Sequence, residues 1–160
     1  MSTVEPTEQT PPESRPEEPF GWAQPPATLW AAGGWLTWMA GLALMLSPFL
    51  GWYTGSGEGL TIAVTGWHTG ALGKLVFVLG AAVLVLALLH ELGIELPPAI
   101  PESLVIIVIG ALATIFVLIR LISIPDRFFP WDGRSVGIWI ALVSAIGVVV
   151  AGILRASEEL

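Results

Sequence analysis

The chain has 160 residues, 54% of them hydrophobic, with 13 acidic against 6 basic side chains and a formal net charge of −7. That balance excludes nucleic-acid binding through a basic surface, and the absence of cysteine excludes disulfides, thiolate metal sites and thiol catalysis. The apolar residues are gathered into four stretches of about 20, each close to the thickness of a bilayer. Runs this long leave too little polar surface for a soluble protein, so the sequence predicts an all-α membrane protein, a bundle of four transmembrane helices.

Residues 1–26 form a separate compositional zone. Glu5, Glu8, Glu13, Glu17 and Glu18 stand against Arg15, among Pro6, Pro11, Pro12, Pro16, Pro19, Pro25 and Pro26. Such a segment buries too little apolar surface to offset its ordering entropy, so it is expected to be a disordered acidic tail. A solvated leader explains it better than a docking role. It also lacks the basic start and apolar stretch of a cleaved signal peptide, which leaves the first span as its own insertion signal. Residues 27–160 are expected to form one transmembrane domain.

The first span is expected over 29–50 and holds no ionisable side chain, with Pro48 placed to bend or end it. The connection 51–69 is the longest. It reads Trp52 and Tyr53, a glycine-rich turn from 55 to 59, and then Leu60, Thr61, Ile62, Ala63, Val64 and Thr65. Alternation of large apolar with small or polar residues marks a half-buried strand, so a small two-stranded β-hairpin is expected over the end of the bundle. A lone hairpin is marginal in water, and Leu60, Ile62 and Val64 should pack on the helix ends or on a partner.

The second span is expected over 70–92, with Lys74 near its start. His68 and His90 fall at its opposite ends, too far apart to share a metal ion. Pro97, Pro98 and Pro101 end this helix and start the next, making the two antiparallel neighbours. His90, Glu91 and Glu95 read better as a solvated polar link than as a cation site, so no metal and no cofactor are expected.

The third span is expected over 103–124, and Arg120 is the charge set well inside it. A long cation near a helix end snorkels to the headgroups or joins a structural ion pair, for which Asp126 and Asp132 are the natural partners. The alternative is an anion or substrate contact shared with Lys74, which lies at similar depth on the same face. Loop 125–133 brings Phe128, Phe129, Pro130 and Trp131 to the membrane face that holds Trp52, Tyr53 and Trp67. An interfacial aromatic belt explains most of these, with a recognition surface as the alternative. Trp67, His68 and Gly73 are faintly echoed by Trp131, Asp132 and Gly137.

The fourth span is expected over 135–154. Small residues recur at fourfold spacing: Gly33, Thr37 and Gly41; Gly110 and Thr114; Gly133, Gly137, Ala141 and Ala145. Such stripes let helix backbones approach, chiefly within one subunit and alternatively between subunits. Four spans place both termini on one side. Counting Lys and Arg, the positive-inside rule sets Lys74, Arg120, Arg127 and Arg134 against Arg15 and Arg155, favouring loops one and three in the cytoplasm. Lys74 and Arg120 lie inside helix ends, however, and the orientation stays open.

Ser47, Pro48, Phe49, Leu50, Gly51, Trp52 and Tyr53 at the end of the first span, Gly66 and Trp67 closing the loop, and Arg120, Leu121 and Pro125 after the third span carry a resemblance. Over about residues 31–154 the chain is similar to a family of uncharacterised small bacterial four-span membrane proteins. The resemblance implies a multi-pass protein of the cell membrane and brings no assigned activity. Some members carry a zinc ribbon before the first span, which would imply a cytoplasmic N-terminus; here an acidic tail without cysteine stands in its place. The strand-bearing first loop also resembles that of claudin-type tetraspan proteins, without their paired loop cysteines.

No paired polar groups for acid–base work lie within the spans. The sequence therefore points to a non-enzymatic integral membrane protein, a scaffold, accessory or sensing module acting through loops 51–69 and 125–133. The candidate partner or anion contacts are Trp52, Tyr53, Trp67, Lys74, Arg120, Asp126 and Trp131, and the expected partners are the lipid bilayer and other membrane proteins or a second copy. The alternative is a small transporter or channel subunit that works as an oligomer.

Overall fold

Inside a bilayer every main-chain polar group needs a partner within the chain, so long apolar runs free of proline become helices. In the computed structural model, which describes residues 27–57, 60–94, 97–123 and 131–159, they do so four times. In chain order the elements are α1 (Ala27–Leu46), β1 (Gly51–Gly57), β2 (Leu60–Thr65), α2 (Ala71–Glu91), α3 (Glu102–Ile122), β3 (Trp131–Arg134) and α4 (Val136–Glu159). Single 3-10 turns, Ser47–Phe49 and Gly66–Thr69, join α1 to β1 and β2 to α2.

Among the described residues α2, α3 and α4 are long and apolar enough to cross a membrane, the mark of a membrane-embedded protein. α1, a helix of 20 residues, is not among these three. Two boundaries also differ from expectation. α1 stops at Leu46 rather than reaching 50, because Pro48 in the following turn cannot continue the helical ladder. α4 runs to Glu159, well past 154, because its buried face continues through Ala151, Gly152 and Arg155.

α1 packs against both α2 and α4, α3 packs most extensively on α4, and the contact between α2 and α3 is the slightest of these four. The core runs through Leu44, Val76, Val83, Ile106, Val117, Ile138 and Val148. Lipid offers no hydrophobic drive between helices, so association rests on close backbone approach. A Cβ on Gly80 would lie 2.5 Å from the Met45 nitrogen, and one on Gly110 2.8 Å from the Val149 nitrogen. Ala141 and Ala145 are buried as well. These small residues are thus used inside the chain, whereas a Cβ on Gly34 would meet nothing within 4 Å. Thr37 and Thr114 turn their hydroxyls back onto the carbonyls of Gly33 and Gly110, at 2.8 and 2.7 Å.

The expected two-stranded hairpin is a three-stranded antiparallel sheet of order β2-β1-β3. β1 pairs with β2 through Tyr53 opposite Val64 and Gly55 opposite Ile62. On its other edge Tyr53 lies opposite Arg134 and Gly55 opposite Trp131. A hairpin leaves β1 with an open row of main-chain donors and acceptors, and the short segment from loop three fills it. Irregularities between Gly51 and Tyr53 and between Thr54 and Gly55 mark where β1 bends over the helix ends. The tail 1–26, Asp126, and the side chains of Leu60, Ile62, Trp131 and Asp132 lie outside the described residues.

Candidate functional site

The sheet is held to the bundle by the ends of the helices beneath it. An α-helix leaves its last carbonyls without intrahelical partners. At the end of α3 the Ile119 carbonyl accepts from the Ser123 amide at 2.8 Å, the Arg120 carbonyl accepts from the Tyr53 hydroxyl, and the Leu121 carbonyl accepts from Arg134 Nε at 2.7 Å. β1 and β3 each supply one of these donors. The Arg134 guanidinium also suits the negative end of the α3 dipole.

Trp52 and Tyr53 are fully buried, both at 0% exposure, and so do not belong to an exposed aromatic belt. Trp52 Nε1 donates to the Ser47 carbonyl at 2.8 Å, and its ring lies so close to Gly66 that a Cβ there would be 2.4 Å from it. An indole or phenol whose polar tip finds a carbonyl loses little by leaving the interface, and its apolar body gains by burial. Both side chains support the sheet from below.

Among the described side chains of this group, Trp67 is the one that remains at the rim. It stacks on Phe49 with centroids 5.3 Å apart and meets Phe77 edge-on at 5.6 Å. Lys74 is exposed, and its Nζ stands 5.7 Å from the centre of the Trp67 ring, a cation–π distance. Arg120 turns toward the start of α2, where Nη2 donates to the Thr69 carbonyl while Nε is buried without a hydrogen-bond partner among the described residues. Gly70 makes room for it: its φ of 117° lies in the left-handed region, and a Cβ there would be 2.8 Å from Nη2. The described partners of Arg120 and Lys74 are a carbonyl and a ring. Asp126 falls outside the described residues, and Trp131 is described only through its backbone pairing with Gly55.

Gly73 and Gly137 give the faint internal echo a physical basis. A Cβ on Gly73 would lie 1.9 Å from the Gly66 carbonyl oxygen, and one on Gly137 2.5 Å from that of Gly51. Each glycine lets a loop backbone cross the first turn of a helix.

Burial pushes the Tyr53 phenol above its ordinary value, with Arg120 and Arg134 pulling it partly back. A raised folded value means that the unfolded chain loses its proton first. Stability from this group is therefore complete below about pH 10 and falls as pH rises through the folded value. Tyr53 is the single tyrosine in the sequence, which makes the signal clean. Tyrosinate absorbance of the folded protein is expected to rise at higher pH than that of the denatured chain; coincident curves would place the phenol in water.

The opposite end of the bundle holds a polar network that the sequence reading missed. Arg155 on α4 is 8% exposed and pairs through Nη1 with Glu102 Oε1 at the start of α3. Glu102 Oε2 lies 3.0 Å from His90 Nδ1, in the last turn of α2. Glu159 accepts from the Ser103 hydroxyl at 2.7 Å, and Glu91 accepts from Trp38 Nε1 at 2.8 Å. The signal was present in the spacing: Ala141, Ala145, Val148, Gly152 and Arg155 follow one face of α4 at steps of three and four. Among the described residues no group of His, Asp and Glu is arranged to hold a metal ion.

Comparisons with protein-family models, curated proteins and solved structures find no match for this chain.

Proposed function

We propose that the chain is a non-enzymatic, multi-pass protein of the cell membrane that recognises another membrane protein through its sheet-bearing face, with α1 as the fourth span. The observation that carries this reading is the joining of two distant loops into one sheet anchored on α3 by Tyr53 and Arg134. A surface fixed in this way spends little ordering entropy when a partner binds, which favours recognition over a passive loop. Trp67, Lys74 and Phe49 form the accessible rim, while Trp52 and Tyr53 hold it in place.

The helix interiors support a role without chemistry. The Thr37, Ser47 and Thr114 hydroxyls are engaged by carbonyls of their own segments. The transport alternative needs Lys74 and Arg120 on a shared path. Lys74 is exposed over Trp67, and Arg120 is tied to Thr69 at the bundle end, so the weight falls on the recognition module.

The test is a C-terminally tagged chain solubilised from native membranes in mild detergent, with identification of what co-purifies at stoichiometric amounts. A heterologous membrane protein is expected. Lys74→Glu, at an exposed position, should release it while leaving the chain monodisperse. A homo-oligomer without a second protein would move the assignment to the transport subunit.

A further inference from the structure

α2 and α3 share a slight contact, and the link between them turns at Gly93, with φ of +70°, before Pro97, Pro98 and Pro101. Apolar packing alone therefore holds these two helices less firmly than their neighbours. What joins them at the end opposite the sheet is Glu102, which faces Arg155 with one oxygen and His90 with the other. We infer that His90, Glu102 and Arg155 form a proton-responsive clasp that sets how tightly α2 and α3 are held together at this end.

The three groups differ in how they answer to pH. Arg155 stays charged at any pH at which the fold survives, and its guanidinium fixes Glu102 in place. His90 is the member whose residue type changes charge between about pH 5 and pH 8. Neutral imidazole donates to Glu102 only in the tautomer with hydrogen on Nδ1, and then without a charge of its own. Protonated imidazole donates from Nδ1 without that restriction, and the bond becomes an ion pair.

His90 sits in the last turn of α2, where the helix dipole favours a cation. Of the charged groups at this end, Glu102 on α3 is the one in contact with His90, Arg155 on α4 holds the other Glu102 oxygen, Glu91 follows His90 in the chain, and Glu158 on α4 lies beside Gly33 of α1. Glu91 is bonded to Trp38 of α1 and Glu159 to Ser103 of α3, and Glu95 of the link lies outside the described residues. The imidazole is 60% exposed. Acidification tightens the clasp, and rising pH loosens it. This device is independent of partner recognition at the sheet face.

The test uses the full chain in lipid nanodiscs, followed by NMR from about pH 8 to about pH 5. The sequence has two histidines, so His68, bonded to the Thr65 hydroxyl at 2.8 Å, serves as internal control. The Glu102 carboxyl carbon is expected to shift at the midpoint of the His90 ring. Exchange of the Ile94, Ile100 and Leu104 amides, corrected for intrinsic rates, should slow by about two- to fivefold below that midpoint, a small factor because solvent screens an exposed pair. His90→Gln should abolish both responses, and His68→Gln should leave both intact. A Glu102 signal flat through the His90 titration, or a response that survives in His90→Gln, would overturn the clasp.

Discussion

Gly73→Ala is expected to cost about 3 kcal/mol or more, the upper end for forcing one methyl group into a packed site. The new Cβ would stand 1.9 Å from the Gly66 carbonyl oxygen and 2.6 Å from its carbon, and both are backbone atoms with no rotamer to change. Gly66 has nowhere to retreat. The Trp52 ring lies against it, and its amide donates to the Leu50 carbonyl at 3.3 Å. Displacement therefore passes to Trp52 and β1, and from there to the capping of α3 by Tyr53. The measurement is the thermal midpoint and monodisperse fraction in detergent. Gly34→Ala is the matched control: with nothing within 4 Å of the added carbon, it should be neutral or gain up to about 1 kcal/mol from helix propensity. A wild-type midpoint in Gly73→Ala would mean that the loop does not cross the start of α2.

Arg155→Met is expected to destabilise by about 3–5 kcal/mol, because it strips Glu102 of its buried counter-ion. The Glu102 side chain is 14% exposed, and His90 in its neutral state is a poor substitute. Arg155→Met combined with Glu102→Gln should recover most of the loss, since the charge and its counter-ion leave together. Thermal unfolding of the two variants in the same detergent checks this. Equal midpoints for the single and double variants would show that Glu102 is well solvated without Arg155.

Much of the helical frame was legible in the sequence, since unbroken apolar runs of bilayer length have few structural outcomes. The prolines behaved as local sterics dictate: Pro48 ended α1 and Pro101 immediately precedes α3. The hairpin was readable from the alternation in 60–65. β3 was not, because Trp131, Asp132, Gly133 and Arg134 show neither alternation nor a run of strand-forming residues. They are a strand through pairing with β1, which is a property of the tertiary arrangement.

The same gap explains the candidate site. Composition cannot separate an aromatic residue at the bilayer interface from one whose polar tip finds a carbonyl inside, so Trp52 and Tyr53 read as belt residues. Arg155 read as a charge beyond the fourth span because apolarity fades after Leu154, although its position continues the buried face of α4. Lys74 and Arg120 were placed at the right end of the bundle. Their described partners, a π face and a main-chain carbonyl, are groups that charge matching overlooks.

The strand order β2-β1-β3 also bears on how the protein is made. β1 and β2 are synthesised together, between the first two helices, and can pair at once. The third strand emerges only after α3 has been translated, so for the interval between those events β1 presents an unsatisfied edge at the surface of the forming bundle. The α3 terminus that Tyr53 seals is not yet present either. Completion of the sheet is thus a late, non-local step of biogenesis. Nascent chains arrested before residue 131 would expose an adhesive strand that the finished molecule conceals.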